Sequence, residues 1–378
     1  MSITDVDKVD KLREMVKDRL TPYYDTHFNL LRWIQGHPGL PLADVAHKLK
    51  HHLNFRRSLW DVDNYHKRQR GFHPIHKHWV HGITGPSGVL DNVIVNIEQC
   101  GLVDYDGMLA NYSIGDVMKA RIFDLEEMLH QVMSMEEKTG EQASILYVMD
   151  AEGIEYTKKL VDLVLGSLRS MSEFMADHYV EMIKYFVIVN VPSWAYTLWI
   201  DETDSNSFVL FHVRMLSASN WRKEISTLAS PSACPAFWND DNITHFTAKL
   251  ERPSKFITVD KPEIPAESLD KMYVKAGTEE FLVFDLENGD TIEHILPGNQ
   301  NFGFSLLKDD GTEEDAYLMP QVHPTFPWMP GPSQVPLVDS MTVTESGRYK
   351  IMFSNIRAWW NTLTIVYRVH VEKGSGGQ

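Results

Sequence analysis

Two short runs of consecutive apolar residues, at 144–149 and 186–191, constrain the fold of this chain more than any other feature. A strand with one buried face alternates apolar and polar residues, whereas an unbroken apolar run is typical of a strand covered on both faces. A run at 93–97 has the same character. Apolar residues at helical spacing fill the intervals at 115–137 and 156–184. This alternation of strands and helices predicts a parallel sheet with crossover helices.

The periodicity changes on either side of this central zone. Residues 1–75 carry apolar side chains at helical spacing and predict a helical subdomain. Residues 268–373 alternate apolar and polar side chains in short stretches between turn sequences, which predicts an all-β domain of sandwich type. We therefore expect an α/β domain at 76–245 and a linker at 246–267. The proline-rich stretch 320–336 predicts a long irregular loop.

Charge and cysteine content exclude several classes of protein. The formal net charge of -16 argues against nucleic acid as a partner. Two cysteines, Cys100 and Cys234, cannot form a disulfide framework, and they fit a reducing compartment. The first residues do not read as a secretory signal, and no apolar stretch reaches the roughly 20 residues that a membrane span needs. We therefore expect a soluble, cytoplasmic protein.

Residues with catalytic or metal-binding chemistry form no convincing set. Four histidines lie close together, but their spacing matches no zinc pattern and Pro74 interrupts them. These are His73, His76, His78 and His81. Asp150 follows a buried strand and is interpreted as a helix cap rather than an acid catalyst. We therefore predict neither catalytic residues nor a metal site nor a cofactor, and no enzyme activity.

Several motifs in the central zone resemble those of the CRAL-TRIO lipid-binding family. Residues 146–153, Leu-Tyr-Val-Met-Asp-Ala-Glu-Gly, are similar to the family's strand that ends in Asp-x-x-Gly. Residues 179–181, Tyr-Val-Glu, resemble its Tyr-Pro-Glu, and residues 186–192 resemble a strand that ends in Ile-Asn-Ala-Pro. Residues 235–238, Pro-Ala-Phe-Trp, resemble its closing motif, and residues 30–34 its helical entry domain.

The last zone resembles a GOLD domain. The resemblance rests on residues 274–277, 302–304 and 347–355. A CRAL-TRIO domain followed by a GOLD domain is an arrangement known within the family. The resemblance thus implies a helical subdomain, a CRAL-TRIO-like sheet domain with a lipid pocket, and a C-terminal GOLD-like β-sandwich.

The resemblance implies binding and transfer or presentation of a hydrophobic ligand at membranes. The ligand would be a phospholipid, a tocopherol or an isoprenoid, and the protein would associate with membranes peripherally and transiently. From their strand positions we expect Tyr147, Met149, Ile188 and Asn190 to form the pocket floor, with Trp194 and Trp199 at its mouth. Methionine side chains suit a flexible apolar ligand, although they equally suit a core. The pocket candidates on the long helix are Met171 and Met175, and the candidate on the following strand is His212.

The gate segment at 198–207 is short and acidic, unlike the amphipathic gate of the family. Ser170 and His212 lie near the positions where inositol-lipid carriers have a glutamate and a lysine, so phosphoinositide specificity is not implied. An alternative hypothesis follows from the altered gate. The chain would then be a non-exchanging adaptor at Golgi or endosomal membranes, recruiting a protein partner through its GOLD-like domain.

Overall fold

The computed structural model describes most of the chain. The described residues are 3–69, 73–155, 157, 161–162, 164–192, 213–216, 219–255, 269–297, 300–331 and 334–374. Within them, helices are followed by a mixed sheet with crossover helices and then by antiparallel sheets. This mixed α/β architecture confirms the coarse prediction of the fold class.

The first described elements are helices that pack through their apolar faces. They are α1 (Ile3–Val16), α2 (His27–Gln35) and α3 (Leu42–Arg56), followed by 3-10 turns at Val62–Lys67 and Pro74–Lys77. Thr26 caps α2 by accepting a hydrogen bond from the backbone N–H of Asn29 at 3.1 Å. Leu12, Trp33 and Leu49 are buried side chains of the three helices. The helical prediction for this part is confirmed.

The central sheet has the strand order β1-β2-β3-β4-β5 among the described residues. Its strands are β1 (Ile83–Pro86), β2 (Val93–Glu98), β3 (Ser144–Asp150), β4 (Ile183–Val189) and β5 (Val213–Met215). Strand β1 is antiparallel to β2, and the other neighbours are parallel. The predicted strands at 93–97, 144–149 and 186–191 therefore lie side by side.

Crossover helices connect the parallel strands. They are α4 (Tyr105–Asn111), α5 (Ile114–Thr139) and α6 (Arg169–His178), the last preceded by a π-helical turn at Val164–Leu168. Because parallel connections are right-handed and the strands follow in sequence order, α5 and α6 lie on the same face of the sheet. The long helix predicted at 156–184 ends earlier, since α6 stops at His178 and β4 starts at Ile183.

Helix α5 owes its bounds to strong local signals. Ser113 and Asp116 form a capping box, in which each side chain accepts a hydrogen bond from the other's backbone N–H. At the other end Gly140 has a φ of 69°, a left-handed conformation that glycine adopts without strain. The 26-residue helix is thus stopped at both ends by its own sequence.

The C-terminal part contains two antiparallel sheets. Its strands are β6 (Asp270–Val274), β7 (Glu279–Leu286), β8 (Thr291–Leu296), β9 (Phe302–Asp309), β10 (Gln321–Met329), β11 (Leu337–Thr342), β12 (Gly347–Ser354) and β13 (Leu363–Glu372). Their orders are β10-β9-β12-β7 and β11-β8-β13-β6. Buried side chains from both sheets, such as Phe304 and Ile351 on one and Ile292 and Ile365 on the other, share one apolar cluster. The finer GOLD assignment stays a prediction.

Much of the proline-rich stretch 320–336 is a strand and not the loop that we predicted, since residues 321–329 form β10. Strand β10 includes Pro324 and Pro327, which cannot donate backbone hydrogen bonds. Among the described residues it lies at the edge of its sheet and pairs with β9 alone, and its register with β9 shifts repeatedly. An irregular edge strand tolerates proline because few ladder hydrogen bonds are required of it.

Helix α3 and the residues after it cover this edge strand. Asn54 donates a hydrogen bond to the carbonyl of Leu318 at 2.7 Å, and the backbone N–H of Leu59 donates to the carbonyl of Val322 at 3.0 Å. The sheets of the C-terminal part therefore pack directly on the helices of the N-terminal part.

The predicted linker at 246–267 is partly core. Phe246 and Ala248 are buried, and Ala248 forms a β-bridge with Pro235. Arg252 contacts Glu152 through a 2.9 Å salt bridge. These residues therefore pack against the central sheet, because their apolar side chains complete its core. The rest of the predicted linker, 256–267, lies outside the described residues.

A buried ion pair joins α3 to α5. The guanidinium of Arg56 donates to both carboxylate oxygens of Glu126 at 2.8 Å and to Asp63 at 2.5 Å. The hydroxyl of Tyr179 also donates to Glu126 at 2.8 Å. Burial opposes the charge on Arg56, but Glu126 and Asp63 raise its pKa well above the usual value. Each charge depends on its partner, since neither reaches water.

We predict that Arg56→Met lowers the free energy of unfolding by about 3–5 kcal/mol, because it leaves Glu126 buried without its cation. Arg13→Met is the matched control, since Arg13 pairs with Asp10 and Asp25 at the surface and we expect its loss to cost less than about 1 kcal/mol. Urea unfolding followed by circular dichroism measures both. Equal losses for the two variants would contradict the prediction.

His294 is fully buried between the two antiparallel sheets. Neither of its ring nitrogens has a hydrogen-bond partner among the described residues, and its ring contacts Phe304 and His323. Burial lowers the pKa of His294 to about 4, below the value near 6.5 expected in the unfolded chain. The unfolded chain therefore binds more protons between these values. Stability that is present above pH 6.5 is lost as the pH falls toward 4.

We predict that His294→Phe makes the free energy of unfolding less dependent on pH. Between pH 7.5 and 5 the wild type should lose about 2 kcal/mol more than the variant, at about 1.4 kcal/mol for each unit below 6.5. Urea unfolding at the two pH values provides the measurement. His370→Phe makes the same replacement of an imidazole ring by a phenyl ring at an exposed position of β13. It should change stability by less than about 0.5 kcal/mol at pH 7.5. The same pH slope for wild type and His294→Phe would overturn the assignment.

Candidate functional site

The two faces of the central sheet are buried to different degrees. On one face, the side chains of β2, β3 and β4 are fully covered by α7 (Trp221–Ile225) and the segment that follows. They include Val95, Leu146, Val148, Val187 and Val189. We call the opposite face, which carries α5 and α6, the α6 face. Over β4 and β5 its apolar side chains are only half-buried.

Two rows of side chains cross three strands on the α6 face. Met149 on β3 lies beside Ile188 on β4, which lies beside Met215 on β5. In the adjacent row, Tyr147 lies beside Phe186, and Phe186 lies beside Val213. Apart from Tyr147, these side chains are half-buried, so apolar surface remains open here.

Tyr147 marks the polar end of this apolar surface. Its ring stacks on Phe186 with centroids 5.2 Å apart, while its hydroxyl donates to the carboxylate of Glu98. Arg121 on α5 donates to the same hydroxyl at 2.5 Å and lies 3.4 Å from Glu98. All three polar groups are nearly inaccessible to water, and they satisfy one another. Their mutual contacts form the polar boundary of the apolar surface on the side of β2.

Two of the predicted methionines belong to the apolar cluster on this side of the sheet. Met171 and Met175 project from α6, the first buried and the second half-buried. The sulfur of Met175 accepts a hydrogen bond from Arg121 at 3.4 Å. The structure therefore brings Tyr147, Ile188 and Met149 together with these methionines on one side of the sheet.

The remaining predicted residues do not join this group. Asn190 lies at the end of β4 with a φ of 54°, and its amide donates to Asp150 at 2.8 Å. It thus closes the strand ends and does not line the apolar floor. Trp194, Trp199, His212 and the gate segment 198–207 lie outside the described residues.

Asp150 has a structural role that the sequence analysis did not predict. Its carboxylate is buried and accepts hydrogen bonds from the indole of Trp238 at 2.7 Å, from Asn190 and from the backbone N–H of Glu152 at 3.0 Å. Burial raises its pKa, and these hydrogen bonds oppose the increase. It therefore ties three chain segments together, and its partners among the described residues lie outside the α-helices. The sequence signal that could have revealed this role is an aspartate at the end of a fully buried strand.

The four histidines at 73–81 contact different neighbours, although the rings of His73 and His76 lie 6.5 Å apart. His73 contacts Asp116, His81 contacts Glu127, and His78 contacts the carbonyl of Ser254. Among the described residues, no group of side chains could hold a metal ion.

The thiols of both cysteines are buried. Burial raises the pKa of Cys100 well above the usual value and that of Cys234 to about 12, so neither thiol is activated. In the part of the chain that the structure describes, no helix is long and apolar enough to cross a membrane.

We predict that Asp150→Asn lowers the free energy of unfolding by about 1–3 kcal/mol, because the amide cannot accept hydrogen bonds from all three donors. Asp241→Asn makes the same chemical change at an exposed position and should be nearly neutral. The midpoints of urea unfolding give the comparison. If Asp150→Asn were as stable as Asp241→Asn, the carboxylate would not hold the strand ends together.

Comparison with known proteins identifies the central and C-terminal parts. Residues 92–239 match the family model of the CRAL/TRIO domain, and residues 255–378 match that of the F28H7_8_C-like C-terminal domain. The predicted GOLD resemblance is tested by neither match.

Two proteins of Caenorhabditis elegans are similar over most of the chain. CRAL-TRIO domain-containing protein F28H7.8 is 25% identical over 78% of this chain and 72% of its own length, and protein ctg-1 is 20% identical over 91% of each. The crystal structure of Sfh5 covers 56% of this chain and 81% of its own at 16% identity, with a TM-score of 0.42. The match at residues 92–239 and the CRAL-TRIO relative agree with the motifs that converge on Asp150, and this part of the chain is a CRAL/TRIO domain.

Proposed function

We propose that this protein binds a hydrophobic ligand on the α6 face, with an acyl or isoprenoid chain lying across β3, β4 and β5. The observation that carries the proposal is the double row of half-buried apolar side chains, centred on Ile188, in a sheet whose other face is fully buried. The match of residues 92–239 to the CRAL/TRIO domain supports it, because that family implies binding or transfer of lipophilic ligands.

Burial of the ligand's chain supplies the affinity. Each methylene group that leaves water contributes about 0.8 kcal/mol. Met171 and Met175 suit this task, since an unbranched thioether side chain adapts to a flexible ligand. The ligand would be of the phospholipid, tocopherol or isoprenoid type, because each presents a long apolar chain.

The polar groups of the α6 face limit the choice of headgroup. Arg121 and Glu98 already neutralise each other and share the hydroxyl of Tyr147, so they offer a headgroup no uncompensated charge. Ser170 donates its hydroxyl to the carbonyl of Trp328 at 2.8 Å and is buried. We therefore propose that the headgroup lies at the other end of the rows, beyond Met149, and that it is not selected by Ser170.

We propose binding without catalysis. Within the described part of the chain, both thiols are buried, and His73 and His81 each contact a carboxylate. These side chains therefore form no evident pair of a nucleophile and a general base. The proposal places the protein in the cytoplasm, with transient contact to membranes such as those of the Golgi or endosomes. It leaves the GOLD-like role of the C-terminal sheets as a prediction.

The adaptor hypothesis remains the second candidate. It is favoured by the close attachment of the C-terminal sheets to α3 and α6, which would suit a rigid scaffold. A scaffold needs no lipid, so the presence of co-purified lipid separates the two functions.

We predict that native mass spectrometry of the purified protein shows one bound lipid, which organic extraction then identifies. Ile188→Trp should weaken uptake of that lipid about tenfold or more, because an indole in the central row displaces about two methylene groups of the ligand. Val338→Trp adds the same bulk at an exposed position of β11 and should leave uptake unchanged. A wild-type protein that is empty and takes up no lipid from vesicles would leave the adaptor function as the better account.

A further inference from the structure

Two neighbouring tryptophans protrude from the C-terminal sheets. Trp359 and Trp360 lie in the loop between β12 and β13, and their exposed fractions are 85% and 86%. Ile356, in the same loop, is 60% exposed. Tryptophan is usually largely buried, so two almost fully exposed indoles side by side need a physical reason.

The loop holds its shape through Asn355. The buried Asn355 amide donates to the carbonyls of Val274 and Asn361 at 3.0 and 2.9 Å. Its backbone N–H donates to the carbonyl of Thr278, and its carbonyl accepts from the N–H groups of Gly277 and Ala358. The indoles are therefore presented by an ordered loop, and little conformational entropy remains to be lost when they become buried.

A second exposed apolar group faces the loop across a groove. Leu165, in the π-helical turn before α6, is 62% exposed, and its neighbour Val164 is 44% exposed. The groove has a volume of about 820 Å³ and is lined by Leu165 and Arg169 on one side and by Trp328, Arg357 and Trp360 on the other. The exposed apolar residues thus come from both the CRAL/TRIO domain and the C-terminal part.

Positive charge slightly outweighs negative charge around the groove. Arg169 and Arg357 line the groove and both pair with Glu173, which leaves one net positive charge among the three groups. The loop at 355–362 contains no carboxylate, and the adjoining β6–β7 turn adds the exposed Lys275. The chain as a whole carries a formal charge of -16. This patch therefore lets an acidic protein approach an anionic surface.

The shape of the loop favours a lipid bilayer over a protein as the partner. Adjacent side chains that are both more than four-fifths exposed stand out from the surface, and they would need a matching deep pocket on a protein. A bilayer needs no such pocket. Indoles concentrate at the membrane–water interface, where the ring contacts acyl chains and the N–H reaches headgroups.

We propose that the tip formed by Ile356, Trp359 and Trp360, together with Val164 and Leu165, docks this protein on phospholipid bilayers. The inference rests on the proposed function, because it identifies the surface through which the protein would meet the membrane that supplies its ligand. Its evidence is separate, since none of these residues belongs to the two rows on the α6 face.

Glu173 attaches the tip loop to helix α6, which lies on the α6 face of the sheet. Arg357 from the tip loop donates to Glu173 at 2.5 and 3.1 Å, and the indole of Trp328 donates to it at 2.7 Å. Glu173 lies on α6, whose Met171 and Met175 contact the apolar surface on the other side. The membrane contact and the ligand site are thus two sides of one short helix.

The test is binding of the full chain to phosphatidylcholine–phosphatidylserine vesicles, measured by flotation. We expect the wild type to float with the vesicles and Trp359→Ala/Trp360→Ala to lose about tenfold or more in partitioning, because each indole removes a large apolar area from water. Leu40→Ala/Val89→Ala removes exposed apolar residues elsewhere and should bind like the wild type. Brominated lipids should quench the fluorescence of the wild type more than that of the tryptophan variant.

Circular dichroism and urea unfolding verify that the variants fold. Equal vesicle binding by wild type and tryptophan variant, or a wild type that does not bind vesicles, would overturn the proposal. So would loss of a protein partner by the variant with unchanged vesicle binding, which would make the tip a protein contact. Uptake of a dispersed short-chain lipid is measured in parallel. Vesicle binding without uptake would refute the ligand function and support the tip, whereas uptake without vesicle binding would do the reverse.

Discussion

The buried carboxylate of Asp150 is the interaction on which the central sheet depends. Its three hydrogen bonds join the end of β3 to the end of β4 and to the indole of Trp238, which lies 88 residues further along the chain. A buried carboxylate without such donors would be strongly disfavoured, so the three segments are held where the donors converge. The same three segments carry the motifs by which the family resemblance was recognised. The motifs thus contain the residues that hold the strand ends together. These strand ends lie next to the start of the apolar rows.

Helix α6 has two different neighbours, and this determines how the parts of the molecule are connected. One side of the helix covers the apolar rows through Met171 and Met175. The other side is held by Arg357 and Trp328, whose hydrogen bonds lower the pKa of Glu173 to about 2, so its charge persists at any physiological pH. Since α3 also contacts the edge strand β10, the all-β part is attached both to the helical part and to α6 of the central domain.

The sequence was sufficient where burial is uniform and insufficient where a partner lies far along the chain. The run at 144–149 identified β3 because both faces of that strand are covered, and the run at 186–191 identified β4, although one of its faces is only half-buried. Prolines misled the prediction for β10, since composition does not reveal that a strand lies at an edge. The role of Asp150 was missed because Trp238 is distant in sequence, and Asn190 was assigned to the pocket because a strand pattern does not show its positive φ. Arg121 could have been noticed, because it lies between Met118 and Leu125 on the buried side of α5.

The aromatic contacts between α3, α6 and β10 change how the chain can be divided. Phe174 on α6 packs against Phe55 on one side and Phe326 on the other, with ring centroids 5.4 and 5.5 Å apart. Family models divide the chain near residue 255, but this cluster crosses that division. The boundary between the two family matches is therefore not a boundary in the packing of side chains. A fragment cut at the division would expose an aromatic surface that is covered in the intact molecule, so the two parts are expected to depend on each other for stability.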